Sequence, residues 1–229
     1  MPPNPLTVIS LGGSLLSPPA GVDAAFLKSF CSLVRRLVRG GRRFVVVTGG
    51  GAPARAYMSA ARAALKNLTP DGLDRLGIAA TRLNAELVRV ALADLAEPEV
   101  VVDPPSVRRL RRPVLVSGGW KPGRSTDAVA VMIATKLGAS EVVNLTDDAW
   151  VYDRDPRLPG AVAVPEMTWA QYAKRFSGPW RPGLHAPFDP VAARAAARAG
   201  LKVVMADARD DKSLALVLAG KRGKGTIIG

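Results

Sequence analysis

The sequence predicts an α/β fold: a mostly parallel central sheet with helices on both faces. Short apolar, β-branched runs alternate with longer stretches of helical periodicity, the pattern of strands joined by helical crossovers. Three of the apolar runs end directly in glycine turns, and in sheets of this kind ligands bind beyond the carboxyl ends of the strands. A length of 229 residues, 48% of them hydrophobic, suits one large domain or two small lobes sharing a continuous sheet, with a sizeable core.

Leu6–Leu11 reads as the first strand and runs into Gly12-Gly13-Ser14. Phe26–Val38 is helical, with Phe26, Phe30, Leu33, Val34, Leu37 and Val38 on one face, and Arg39-Gly40-Gly41 stops it. Phe44–Val47 is a strand buried on both sides, leading into Gly49-Gly50-Gly51. Pro53 opens a helix to about Leu65, tolerated in a first turn where its missing N–H is not needed. A third helix is expected at Leu83–Leu95, then strands at Val100–Val102 and Val114–Val116, the latter ending in Gly118-Gly119. Helix 127–137, strand 141–145, helix 190–199, strand 202–205, helix 213–218 and a last strand at 226–228 complete the pattern. Residues 150–190, rich in proline and aromatics, form the least regular stretch and suit a lid or an oligomer contact.

The formal charge of +13 favours anionic partners such as nucleotides, phosphate esters or nucleic acid; a solvated arginine-rich surface is the plainer reading. One basic cluster stands out at Arg108-Arg109-Leu110-Arg111-Arg112, with a basic tail at Lys221–Lys224. Amide side chains are scarce: Asn4, Asn67, Asn84, Asn144 and Gln171. The single cysteine, Cys31, sits in an apolar helical setting and reads as core rather than nucleophile. No apolar run approaches the roughly 18–20 residues that span a bilayer, and the N-terminus lacks the basic-then-apolar order of a secretory signal. A cytoplasmic setting is expected, without a membrane partner.

Each glycine pair alone is an ordinary tight turn, but three together suit a polyanion. Glycine lets backbone N–H groups approach phosphate oxygens, and a following helix N-terminus adds a favourable dipole. Neither a Walker A sequence nor Gly-x-Gly-x-x-Gly is present. Arg55 lies one turn into the helix after Gly51, where its guanidinium either reaches a phosphate or faces solvent. Asp74 either accepts hydrogen bonds from a ribose diol or caps a helix. The densest polar segment is Gly118–Val129 (GGWKPGRSTDAV), where hydroxyls, backbone N–H groups and two cations converge. His185, the only histidine, reads as an ordinary loop residue with no metal cluster about it, and Trp169, Trp180 and Phe176 as packing or interface groups.

Gly12-Gly13-Ser14, Gly49–Arg55, Asp74–Ala85 (DRLGIAATRLNA), Gly118–Val129 and Phe188-Asp189-Pro190-x-Ala192-Ala193 occur in the order of the archaeal-type UMP kinases, and the chain resembles that family along nearly its whole length. The closing Gly225-Thr226-Ile227-Ile228 fits the wider amino-acid-kinase superfamily. The resemblance implies an αβα sandwich, a homohexamer, and transfer of the γ-phosphoryl of MgATP to UMP, the Mg2+ travelling with ATP and no metal site built by the protein. Within a single domain spanning 1–229, it implies that residues up to about 135 mainly bind the acceptor and those from about 136 mainly bind ATP.

By the same resemblance, Gly12, Gly13, Ser14, Gly51 and Arg55 lie along the ATP phosphates. Gly50, Asp74, Trp120, Lys121, Pro122, Gly123, Arg124, Ser125 and Thr126 hold UMP. Thr146, Asp147, Tyr152 and Asp155 enclose the adenosine, and Asp127 orients groups at the transferring phosphate, with Arg55 its catalytic companion. The chain departs from the family's Thr-Asn-Val-Asp-Gly-Val-Tyr at Asp147, Asp148, Ala149 and Trp150, and Asp148 is a possible one-residue-shifted substitute for the lost carboxylate. Ser10 stands where bacterial relatives carry a lysine, leaving Lys121 or Arg124 to supply a cation. Two other readings stay open: another phosphotransferase of the superfamily, or a non-catalytic nucleotide- or nucleic-acid-binding protein, nucleic acid being the less expected partner.

Overall fold

The computed structural model describes residues 5–176 and 186–229. Five parallel strands form its centre: β1 (Leu6–Leu11), β2 (Arg43–Thr48), β3 (Val114–Ser117), β4 (Glu141–Thr146) and β8 (Lys202–Asp207). Two short strands extend one side, β7 (Glu166–Met167) and β9 (Ile227–Ile228), with β9 antiparallel to β8, so the sheet runs β3-β2-β1-β4-β8-β9-β7. A separate hairpin pairs β5 (Val151–Tyr152) with β6 (Ala163–Val164). The expected mostly parallel sheet between two helical layers is what the chain forms.

Strand alternation explains the layers. Successive side chains point to opposite faces, so a strand buried on both sides is apolar at most positions instead of every second one. Ile9, Leu11, Phe44, Val46, Val143 and Leu145 belong to one core. Val8, Val45, Val47, Val142, Val203 and Met205, offset from them by one residue, belong to the other. The first core is covered by α2 (Ala24–Arg39), the far part of α4 (Pro70–Ala91) and α8 (Asp211–Leu218). The second is covered by α5 (Thr126–Leu137), α6 (Trp169–Arg175) and α7 (Pro190–Arg198). Cys31 is buried in the first core, and desolvation pushes its thiol up to about 11, in keeping with a packing role.

Several expected elements shift. The helix expected at 83–95 begins at Pro70, because Thr69 caps it by accepting from Gly72 N at 3.1 Å, and it stops at Ala91. Its first turns carry Asp71, Asp74 and Arg75, which blur the apolar period. Asp74 therefore lies inside α4 and is not its cap. The strand expected at 100–102 is reduced to one bridge, Val101 with Ser117, between Pro98 and Pro104. The helix α3 (Gly51–Ala64) starts two residues before Pro53, and a one-turn helix α1 (Gly13–Leu16), too short to show periodicity, follows Gly12. The final strand covers only Ile227–Ile228, and the irregular stretch from Trp150 holds β5, β6, β7 and α6. His185 and Trp180 lie outside the described residues. Trp169 and Phe176 do pack, Trp169 also donating Nε1–H to Leu201 O at 3.0 Å.

Tyr172 joins α6 to the segment entering α7. Fully buried, its hydroxyl accepts from Phe188 N at 2.9 Å and donates to Phe188 O. Burial raises its pKa well above the ordinary phenol value. Tyr172→Phe strands both backbone groups of a buried residue and is expected to cost about 2–4 kcal/mol. Urea unfolding measures this; an unshifted midpoint would mean that water replaces the hydroxyl without loss.

Candidate active site

Because β1, β2, β3, β4 and β8 are parallel, Gly12-Gly13, Gly49–Gly51, Gly118-Gly119 and the Thr146–Trp150 turn all emerge on one edge of the sheet. Strand order grows outward from β1 to β3 in one direction and from β4 to β8 in the other. The reversal between β1 and β4 opens a crevice at that edge. Gly12 spans it, donating N–H to Leu145 O at 2.9 Å.

The two loops nearest the crevice meet backbone to backbone. A Cβ on Gly13 would collide with Gly51 N and the Gly49 carbonyl; one on Gly49 would lie 2.6 Å from Gly13 N. Gly51 also holds φ +64°, which disfavours any side chain. The glycines expected along phosphates are thus first required for the two loops to touch. Asn84 from α4 locks them: its Nδ2 donates to Gly49 O at 2.7 Å, and its Oδ1 accepts from Ser17 Oγ at 2.8 Å. Ser17 O in turn accepts from Ala52 N at 2.8 Å. Arg55, exposed on α3, places both terminal nitrogens 3.3 Å from Ser14 Oγ, so those two members of the expected phosphate set do meet.

Beside this cradle lies a cleft of about 280 Å³, lined among others by Gly50, Asp74, Thr81, Arg124, Ser125 and Thr126. Five of the residues expected to hold UMP therefore converge on one cavity. Trp120, Lys121, Pro122 and Gly123 do not line it. Trp120 Nε1 donates to Asp103 at 3.1 Å, and Lys121 Nζ stacks 4.0 Å over the Trp120 ring. Gly123 instead donates its N–H to Asp74 Oδ2 at 2.7 Å, tying the loop to α4. Of the two cations proposed to stand in for the lysine absent at Ser10, Arg124 lines the cleft and Lys121 does not. Thr81 and Arg82 brace the far wall: Thr81 Oγ1 accepts from Gly119 N at 2.6 Å, and Arg82 donates to Gly119 O and Trp120 O.

Asp127 sits between cradle and cleft. Ser10 Oγ donates to its Oδ1 at 2.7 Å and Asp189 N to its Oδ2 at 3.1 Å. Asp189, itself buried, caps α7 and accepts from Ser125 Oγ at 2.6 Å. Desolvation pushes the Asp127 carboxyl up to about 6; the bonds from Ser10 and Asp189 N pull the other way, and the Asp189 charge adds to the rise.

The residues expected around adenosine are less tightly gathered. Thr146 closes a turn with Asp148, and its carbonyl accepts from Ala208 N at 3.1 Å. Asp147 pairs with Arg209 at 3.5 Å, and Arg209 also reaches Asp23 at 3.5 Å. Tyr152 lies in β5, its pKa raised by burial and by Asp148. Asp155 is held by Arg157 in its own turn at 2.7 Å, and those bonds pull it down to about 2. Asp148 accepts from Trp150 N at 2.9 Å and so serves the local turn. Ala149 is buried, and its carbonyl accepts from Thr226 N at 2.9 Å, which pins the altered loop to the segment entering β9.

The chain belongs to the amino acid kinase family, whose model matches residues 5–207. Among its relatives, the uridylate kinase of Methanoregula boonei is 36% identical over 224 residues, 95% of this chain and 92% of the relative. That of Aeropyrum pernix is 35% identical over 221 residues, covering 94% and 96%. The crystal structure of uridylate kinase from Archaeoglobus fulgidus superposes with a TM-score of 0.83 at 30% identity, over 97% of this chain and 99% of that one.

Asp127 makes stability pH-dependent in a defined direction. A carboxyl raised to about 6 in the fold from 3.8 binds its proton more tightly when folded, so stability falls as pH rises from about 4 to 6. Asp127→Asn imitates the protonated form, with Ser10 then accepting. Its stability advantage over the wild type should grow from about 0.5 kcal/mol at pH 4 to about 3 kcal/mol at pH 7.5. Urea unfolding at both values checks this; a gap independent of pH would show that Asp127 ionises freely.

Proposed function

We propose that this chain is a UMP kinase that transfers the γ-phosphoryl of ATP directly to UMP, giving ADP and UDP without a phosphoenzyme. The observation that carries it is the shared Gly49–Gly51 loop. Gly50 lines the cleft, while Gly49 and Gly51 complete the cradle, so an acceptor and a polyphosphate held there abut across one turn. Relatives called uridylate kinases, matched over more than nine-tenths of their length, support UMP as the acceptor.

In this proposal, Gly12, Gly13, Ser14, Gly51 and Arg55 hold the ATP phosphates, the guanidinium neutralising charge on the transferring group. Asp74, Arg124, Ser125 and Thr126, with Gly50, hold UMP; Trp120, Lys121, Pro122 and Gly123 close over it as the loop anchored on Asp74. Thr146, Asp147, Tyr152 and Asp155 form the adenosine side. Residues 1–135 chiefly serve the acceptor and 136–229 chiefly ATP.

Asp127 orients the groups between the two substrates. Each of its oxygens accepts one hydrogen bond and keeps a lone pair, which fits a Mg2+ ion bound mainly by phosphate oxygens. When bound with ATP, that ion would supply neutralisation of phosphate charge, and Asp127 is the residue that would help to hold it. We also propose a homohexamer working in the cytoplasm; no helix among the described residues is long and apolar enough to cross a membrane.

Coupled ADP release with MgATP and each of UMP, CMP, dUMP, AMP and GMP should show turnover confined to UMP, with some dUMP tolerated. No turnover with any acceptor, from folded protein and with other triphosphates also tried, would favour the binding-protein reading that the altered Thr146–Tyr152 loop suggests. In the same assay Arg55→Ala, an exposed change, should lower kcat about 100-fold or more with an unchanged circular dichroism spectrum. Equal activity would remove Arg55 from the mechanism.

A further inference from the structure

The arginine cluster at 108–112 takes no part in the cleft or the cradle. In the fold it helps to wall a basin of about 700 Å³ at the opposite edge of the sheet, where the strands begin. Arg42, Arg43, Arg108, Arg109, Lys136 and Glu141 line it, between the starts of β1, β2 and β4 and the end of α5. Five cations thus face one carboxylate, and among the described residues none of the five is in an ion pair.

Their donors go to neutral acceptors or to none. Lys136 Nζ and Arg108 both reach Pro105 O, at 2.5 and 2.8 Å. Arg43 donates to Leu110 O at 2.6 Å and Arg112 O at 3.2 Å. Arg42 donates to Ala219 O at 3.0 Å and to Thr7 Oγ1 at 2.8 Å, but its Nε is buried without a partner. Burial also pulls the Arg42 pKa down, against the pull of Glu141, so this guanidinium is short of compensating charge. The carboxyl end of α5 and Glu141 oppose an anion, but a helix pole and one carboxylate are outweighed by five full charges.

We propose that this basin binds a small molecule carrying two or more phosphoryl groups, at a site separate from the catalytic cleft. Guanidinium groups suit phosphate oxygens in bidentate geometry, and several cations drawn from separate elements match several anionic oxygens better than one. The volume lies within the range of small-ligand pockets, and a concave basin differs from the extended basic stripe that tracks a nucleic acid. The six residues of β1 separate it from Gly12 by about 20 Å. The site stands independently of the acceptor and donor assigned above.

Isothermal titration with inorganic tripolyphosphate at about 0.15 M salt tests this on the full chain. The wild type should show a saturable site that Arg108→Ala/Arg109→Ala weakens at least tenfold, with UMP turnover unchanged. Arg55→Ala, at the cradle, and Lys28→Ala/Arg62→Ala, which removes equal charge elsewhere, should retain it. Arg109→Ala alone, at an exposed side chain without a hydrogen bond among the described residues, repeats the test should the double variant misfold. The proposal is overturned by absence of binding to the wild type, by equal weakening in the Lys28/Arg62 control, or by complete loss in Arg55→Ala. Tighter binding of a short DNA duplex, lost in Arg108→Ala/Arg109→Ala, would likewise replace it with a nucleic-acid surface.

Discussion

The site depends on one steric constraint: the loops after β1 and β2 touch with no side chain between them. At Gly13 and Gly49 the opposite loop fills the space a Cβ would need, and Gly51 adopts a left-handed conformation that disfavours a side chain. The contact has little apolar surface of its own, so its geometry is held from outside. Asn84, buried in α4, reaches both loops at once, while Thr48 Oγ1 bonds Thr81 O at 2.9 Å one turn earlier. The long helix thereby registers the end of the sheet with one wall of the cleft.

Charge is distributed unevenly about this frame. Asp127 and Asp189 share a region short of solvent, each supplied with backbone or hydroxyl donors, while Arg55 stands exposed across the cradle. Such a site tolerates a carboxylate only by hydrogen-bonding it, and it improves when positive charge arrives with a substrate. The basic basin at the other edge has the reverse deficit. The net charge of +13 therefore does not describe one uniform surface.

The sheet and most of its helices were legible because strands buried on two faces cannot be mistaken for amphipathic ones, and because glycine marks the ends. That Gly50, Asp74, Arg124, Ser125 and Thr126 gather at one cleft is expected through the resemblance alone, since no local pattern brings residues so far apart together. Asn84 and Thr81 were present in the quoted motif but without a role, since their partners lie far away in sequence. The scarcity of amides is the one signal in the sequence: with four asparagines in the chain, one inside an apolar helix marks a buried hydrogen-bonding role. Asp74 has the side chain of a cap, but Thr69-Pro70 opens α4, and the polar first turns that follow hide that start from the apolar period. Trp120 and Lys121 enter the expected UMP set through the resemblance; their contacts in the fold, with Asp103 and with each other, join residues that no local pattern links.

The position of β9 bears on how the molecule is made. This strand lies between β8 and β7, and it is the only strand that bonds β7 to the sheet among the described residues. It is also synthesised after α7, β8 and α8. Among the described residues, β8 therefore keeps an open hydrogen-bonding edge, and β7 has no strand to join, until Ile227–Ile228 are made. The glycine loops can assemble early, from local strands already made, while the altered Thr146–Trp150 turn waits for Thr226 to arrive and pin Ala149. A nascent chain would thus hold the contact between its two glycine loops before the turn after β4 is fixed.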